Sequence, residues 1–490
     1  MPHSTRLALA LVAALVLAGA APTAGAGARD VADAGGVAGV EEATDANDAP
    51  RATGTGATDD TEATDDTEAT TTESDESVEI ETEGFDPDYD PATVLSRVEE
   101  LRGLQATQGI TLHEYDAEEG PPYDVRDSFG AIRPVGAQTL QLYSNASTEC
   151  RQPLGYTVQR QAAVHIYLLN DEALAEHDVS QEAVLAHEFV HALQFQHDLL
   201  TPSRRQFQSE FDRWTTDSRL VTTAIVEGDA MWVTEQYFDE YDDSDYSVAE
   251  YNRTLARAAW PHSVAGTPYY YGYEFYERAG SSPADRSATI ERPPNSTAEL
   301  LHPGEEVERV RLPDAPDVPD DRNLTRYHTD TVGELVVRHA LRMNGFSFAR
   351  AAEAADGWAG DRMYYYAAEG ATGPATHWVT TWESEAEARE FAAAWRAMLD
   401  ANGAENGDGS DTIFVPASEQ APGMHYVITR DGTTVRITAA EVAGIAERLA
   451  EATRADASPE TEAAHDPTES ANRLTTEAAR DSTREANATA

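Results

Sequence analysis

The segment that most constrains the fold is QEAVLAHEFVHALQFQHDLL, residues 181–200. It contains no glycine or proline, and Ser180 before it is a favourable N-cap, so it is predicted to be one long helix. Residues 184–193 are apolar except at three positions, which carry His187, Glu188 and His191. A helix that is apolar on nearly every side has to be covered on nearly every side. This helix is therefore predicted to lie buried in a core.

His187 and His191 are four residues apart, which places both imidazoles on one face of the helix. Both can bind one cation at about 2.0–2.1 Å. In an HExxH helix the carboxylate of Glu188 lies beside the metal-bound water and is not itself a ligand. Zinc lowers the pKa of that water, and the glutamate takes its proton during attack on a carbonyl. The pattern predicts zinc-dependent hydrolysis; two histidines satisfied within the core are the structural alternative.

The third ligand is less obvious, because HEFVHALQFQH matches HExxHxxGxxH except that Gln194 replaces the glycine. Glycine permits a sharp turn there, whereas glutamine continues the helix. His197 then lies about 240° around the axis from His191 and points away from the metal. Glu227, in AIVEGDAMWV on the next predicted helix, is the better candidate, because a carboxylate in so apolar a setting needs a cation or hydrogen bonds. Glu235 is a weaker alternative.

Hydrolysis also needs a group that stabilises the oxyanion opposite the metal. The preferred candidate is Tyr271, just before Gly272. Ordinary packing is the simpler explanation for this residue. The same holds for the other candidates, which are Tyr269, Tyr270, His262 and His302.

Composition limits the environment and the partners of the chain. It has 490 residues, 88 acidic and 35 basic, a formal net charge of −53, and no lysine. Strong ionic strength screens the self-repulsion of such a surface, so we predict a halophilic protein. Nucleic acid is excluded as an expected partner, because phosphate binding needs basic patches.

The ends of the chain differ from its middle. Residues 1–28 read as a signal peptide of the general secretory type, and residues 29–84 as an acidic disordered linker. The folded part is predicted to be α+β, with a mostly helical lobe over residues 85–312 and a smaller α+β lobe over 323–453. Residues 454–490 are predicted to be a disordered tail. We expect a secreted or cell-surface protein without stable membrane insertion once the signal is cleaved.

The segments HEFVHALQFQH and VEGDA resemble the secreted, gluzincin-like proteins of archaea and bacteria that pair HExxH with EGDA. PPNSTAELLHP, PYYYGYEF and GWAGDRMYYY resemble further segments of that family, and the chain resembles haloarchaeal surface proteins of this type. The resemblance implies a zincin-like metallopeptidase lobe that binds Zn²⁺. It implies that the ligands are His187, His191 and Glu227, with Glu188 as the base. Thermolysin-type members carry ExxxD, but here Met231 stands at the aspartate position, which leaves the partner of the zinc histidines open.

The residues and the resemblance together predict an exported, halophilic zinc metallopeptidase acting on polypeptide. Two alternatives stay open. One is a cell-surface protein with a zincin-like fold that binds peptide or glycan without turnover. The other is a zinc amide hydrolase of non-protein substrates.

Overall fold

The computed structural model describes residues 78–116, 132–142, 153–160, 163–175, 179–211, 214–241, 247–257, 262–305, 307, 324–368, 374–406, 412–419 and 421–456. The helices are α1 (Pro91–Arg102), α2 (Pro134–Thr139), α3 (Asp171–Leu174), α4 (Gln181–Gln196), α5 (Leu200–Phe211), α6 (Thr216–Tyr241), α7 (Val248–Arg257), α8 (His262–Ala279), α9 (Pro283–Glu291), α10 (Thr297–Leu301), α11 (Glu334–Met343), α12 (Phe348–Ala355), α13 (Glu385–Ala401) and α14 (Ala443–Asp456). The strands are β1 (Ile80–Glu83), β2 (Ile110–Tyr115), β3 (Gly155–Arg160), β4 (Ala163–Leu169), β5 (Leu324–Asp330), β6 (Trp358–Ala368), β7 (Ala375–Trp382), β8 (Glu405–Asn406), β9 (Ile413–Val415), β10 (Met424–Asp431) and β11 (Thr434–Ala440). These elements confirm the predicted α+β class.

The first sheet has the strand order β1-β2-β4-β3. Strands β1, β2 and β4 run parallel, and β3 runs antiparallel to β4, so β3 is an edge strand among the described strands. One face of this sheet is apolar because alternate residues point the same way. That face packs against α4 and is formed by Ile110, Leu112, Val164, Ile166 and Leu168. The sheet therefore holds α4 along its length.

The second sheet is antiparallel throughout, in the order β5-β6-β7-β11-β10-β9-β8. Every residue of the central strand β7 is buried, because helices cover both faces of the sheet. Trp378 and Trp382 pack against α13 on one face, whereas Val379 packs with residues of α14 on the other. The aromatic runs of β6 and β7 are thus core positions.

Helix α6 connects the two sheets. Its first turn is fixed to β5, because Asp330 accepts hydrogen bonds from the backbone N–H and the hydroxyl of Thr216. Its middle packs against α4 on one side and α8 on the other. The residues of α4 and α6 that face each other form the candidate site.

Several element boundaries differ from those predicted. Ser180 caps α4 as expected, but the helix ends at Gln196 instead of residue 200, because Asp198 has a φ of 53° and leaves the helical region. Strand β1 lies within the segment predicted to be linker. The predicted signal peptide, the Pro/Asp-rich lobe boundary at 312–323 and nearly all of the predicted tail lie outside the described residues. No helix in the described part of the chain combines the length and apolarity needed to cross a membrane.

Candidate metal centre

Three side chains from α4 and α6 meet at one point in the core. The Nε2 atoms of His187 and His191 are 3.1 Å apart, and the Oε2 atom of Glu227 lies 3.4 Å from the first and 3.3 Å from the second. All three residues are buried. In the part of the chain that the structure describes, no other group of three or more histidine, cysteine, aspartate or glutamate residues could hold a metal ion in this way. The predicted ligands His187, His191 and Glu227 are therefore brought together as a triad.

Thr234 of α6 determines which ring nitrogen of His187 carries the hydrogen. The Thr234 hydroxyl donates to the carbonyl oxygen of Ala230 at 2.8 Å, so its single hydrogen is used there. Its oxygen, 3.3 Å from Nδ1 of His187, can then only accept. Nδ1 of His187 thus carries the hydrogen, and Nε2 presents a lone pair to the other two groups.

Gln194 determines in the same way which ring nitrogen of His191 carries the hydrogen. The amide nitrogen of Gln194 donates to the carbonyl oxygen of Val226 at 3.1 Å and to Oδ2 of Asp229 at 2.8 Å, both of which can only accept. The amide oxygen therefore faces His191, 2.9 Å from its Nδ1 atom. His191 donates from Nδ1, and its Nε2 atom also presents a lone pair.

With Nδ1 protonated on both rings, two Nε2 lone pairs and the carboxylate of Glu227 converge, so either a cation or an additional proton has to lie between them. The two imidazole planes are 80° apart, the ring centroids are 4.8 Å apart, and both Nε2 atoms lie within 3.4 Å of the same oxygen of Glu227. Glu227 is 0 % exposed, and neither carboxylate oxygen has a hydrogen-bond partner among the described residues. Atoms spaced by 3.1 to 3.4 Å surround a point about 1.9 Å from each, close to metal–ligand distances of about 2.0–2.2 Å. The three residues fit a divalent cation with nitrogen and oxygen ligands.

The pKa shifts of His191 and Glu227 show that a positive charge is favoured between the three side chains. Burial alone would lower the pKa of His191, but the Glu227 carboxylate more than offsets this and raises the pKa to about 9. Burial alone would raise the pKa of Glu227, but His191 and His187 lower it. A metal ion bound by the three atoms would replace the proton that the imidazole otherwise holds.

Glu188 lies beside the triad, beneath strand β3. Its Oε2 atom accepts a hydrogen bond of 2.7 Å from the hydroxyl of Thr157, whereas Oε1 is buried without a described partner. A Cβ atom added to Gly155 would come within 2.9 Å of that Oε1 atom, so the absence of a side chain there leaves room beside it. Burial raises the pKa of Glu188, and the two histidines offset part of this. One carboxylate oxygen is thus held and the other is free to accept a proton.

Asp229 forms a buried ionic cluster behind the triad. Its Oδ2 atom accepts from Nε of Arg102 at 2.8 Å, and its Oδ1 atom accepts from Nε of Arg286 at 2.9 Å. Arg102 is 0 % and Arg286 2 % exposed, so both charges depend on this carboxylate. The cluster connects α1 and α9 to α6, and through Gln194 to His191.

The other candidate residues lie elsewhere. Nε2 of His197 pairs with the carbonyl oxygen of Gln105 at 2.8 Å, and Glu235 caps α7 by accepting from Ser247 and Val248. Tyr271 lines a small cavity with Arg338 and other residues of α11 and α12. Its described contacts include neither the triad nor Glu188, so the structure gives no support to its predicted oxyanion role.

Sequence reasoning missed three residues that hold the site, which are Gln194, Thr234 and Thr157. Gln194 had been considered only as the residue that replaces a glycine, although its spacing of three from His191 places both on one helix face. Thr157 carries no local signal, because it reaches Glu188 from a strand that is distant in sequence.

Comparison with known proteins adds a match in one part of the chain. Residues 322–450 match a domain of unknown function, DUF8575. This segment contains the second sheet and its helices, but none of the residues of the triad. No curated protein and no solved structure matches the chain.

Proposed function

We propose that this protein is an exported zinc metallopeptidase adapted to high salt. The observation that supports this most directly is the arrangement of Glu188. A buried glutamate with one oxygen held by Thr157 and the other free lies next to three converging metal ligands. A zinc ion at the triad would supply Lewis acidity and a water of lowered pKa.

The chain itself supplies the proton transfer and the fixed geometry. Glu188 takes a proton through Oε1 and later returns it to the leaving amine. Thr157 keeps the carboxylate from rotating, because its hydrogen bond to Oε2 fixes which oxygen faces the reacting atoms. The 2-His-1-carboxylate set also fits iron(II), but a glutamate directly after the first histidine favours hydrolysis over oxygen chemistry.

Strand β3 favours an extended peptide over a small amide as the substrate. It carries Gly155 and Thr157 next to Glu188, and one of its sides is unpaired among the described strands. An extended polypeptide can add to such an edge through main-chain hydrogen bonds. The scissile bond would then lie across the carboxylate of Glu188.

Metal content and casein cleavage in high salt test the proposal. Glu188→Gln should keep zinc and lose roughly 10²–10⁴-fold in kcat/KM, because only the base is removed. Glu227→Gln should lose zinc as well. Glu182→Gln and Glu235→Gln are matched controls on the same two helices, since these carboxylates pair with Tyr237 and with the start of α7.

The outcomes separate the three readings of the sequence. Wild-type protein without bound zinc would reject the zinc peptidase, and cleavage by Glu188→Gln at the wild-type rate would reject Glu188 as its base. Zinc bound by the wild type without cleavage of any peptide would favour the binding protein. Cleavage of small amides alone would favour the non-protein hydrolase.

A further inference from the structure

Gln194 occupies a position where a zinc histidine usually meets a carboxylate or a backbone carbonyl. Here the group that contacts His191 is a neutral amide, and the anion is one hydrogen bond further away, on Asp229. Gln194 is 0 % exposed, so neither hydrogen bond can be replaced by bulk water. The amide is thus a fixed link between the ionic cluster and the metal ligand.

The orientation of the Gln194 amide is determined by the buried cluster of Asp229, Arg102 and Arg286. Two arginines hold the carboxylate of Asp229 in place, and the carboxylate can only accept hydrogen bonds. A rotated amide would place its oxygen against Asp229 and its NH₂ against His191, leaving buried acceptors facing each other. His191 would then need its proton on Nε2, where the metal binds.

We propose that Gln194 is a positioning residue for the metal, and that it transmits the orientation of the Asp229–Arg102–Arg286 cluster to His191. This inference rests on the proposed zinc site and deepens it. Gln194 keeps the lone pair of His191 on Nε2 and the ring at the angle that the triad requires.

Zinc affinity, measured by competition with a chelator, is the primary test. Gln194→Met fills the same volume without hydrogen bonding and should weaken zinc binding about 10- to 100-fold. Gln194→Glu should bind zinc nearly as tightly as the wild type. A protonated glutamic acid retains an acceptor oxygen for His191 and an O–H donor for Asp229, and it loses only the second N–H, which the amide donates to the carbonyl oxygen of Val226.

Gln196→Met is the matched control. Gln196 lies on the same helix and also makes close hydrogen bonds, accepting from the backbone N–H of Thr107 at 2.6 Å and of Gln108 at 3.2 Å, and donating to the Gln108 carbonyl at 3.0 Å. Its loss should lower the free energy of unfolding and leave zinc affinity unchanged. Equal zinc affinity in Gln194→Met, Gln196→Met and the wild type would overturn the inference and leave Gln194 a structural residue.

A second measurement needs no variant. In zinc-loaded wild-type protein with ¹⁵N-labelled histidine, both metal-bound imidazoles should carry hydrogen on Nδ1 and zinc on Nε2. Zinc on Nδ1 of His191 would overturn the inference, whereas the His187 ring reports on Thr234. Wild-type protein that takes up no zinc would instead reject the proposed function on which the inference depends.

Discussion

Gly228→Ala should separate α6 from α8 and disturb the triad. Gly228 lies between Glu227 and Asp229, where α6 crosses α8 at Gly272. A Cβ atom at position 228 would lie 2.4 Å from the carbonyl carbon of Gly272 and 2.7 Å from its Cα atom. These are backbone atoms, so no side-chain rotation relieves the contact. The helices would have to move apart by about 1 Å to restore ordinary van der Waals separation.

The magnitude follows from two opposing effects. Alanine is favoured over glycine in a helix interior by about 1 kcal/mol. Overpacking a close backbone contact costs about 1–3 kcal/mol, and here the obstruction cannot rotate away. We therefore expect a net loss of about 1–2 kcal/mol in the free energy of unfolding.

Zinc binding should suffer more than stability. A shift of about 1 Å exceeds the tolerance of about 0.2 Å in metal–ligand distances, and Glu227 is the neighbouring residue. Denaturant unfolding and chelator competition in high salt measure the two effects. Gly444→Ala is the control, because nothing lies within 4 Å of its added Cβ atom in the first turn of α14. Wild-type stability and zinc affinity in Gly228→Ala would refute the reasoning.

Two further predictions concern buried carboxyl groups. Thr157→Val should keep zinc but lower kcat/KM roughly 10- to 100-fold, because Glu188 loses the hydrogen bond that orients it; an unchanged kcat/KM would contradict this role. Burial raises the pKa of Asp330 from 3.8 to about 7, so between about pH 4 and pH 7 the native state holds a proton that the unfolded state has lost. The contribution of Asp330 to the free energy of unfolding should therefore fall as the pH rises through this window. Asp330→Asn lacks this titration, so it should become more stable relative to the wild type by at most about 4 kcal/mol; a pH-independent difference in unfolding free energy between the two proteins would disprove the effect.

The triad was predictable because its geometry is largely local. Two histidines four apart face the same way on any α-helix, and an apolar setting marked Glu227 as a carboxylate in need of a cation. The strands around the site were harder to predict from the sequence. No prediction was made for β2 and β3, which are six residues each and take their register from pairing with β4, not from local signals. Thr157 was missed for that reason.

The partner of the zinc histidines was left open by the sequence, and the position of Asp229 explains why. Residues two apart on a helix diverge, so Asp229 could not be expected to face the metal beside Glu227. The structure agrees, because its carboxylate points to Arg102 and Arg286. What the spacing could not reveal is that α4 crosses α6 so that Gln194 fills the gap between Asp229 and His191. The same glutamine that argued against a glycine turn therefore links Asp229 to His191.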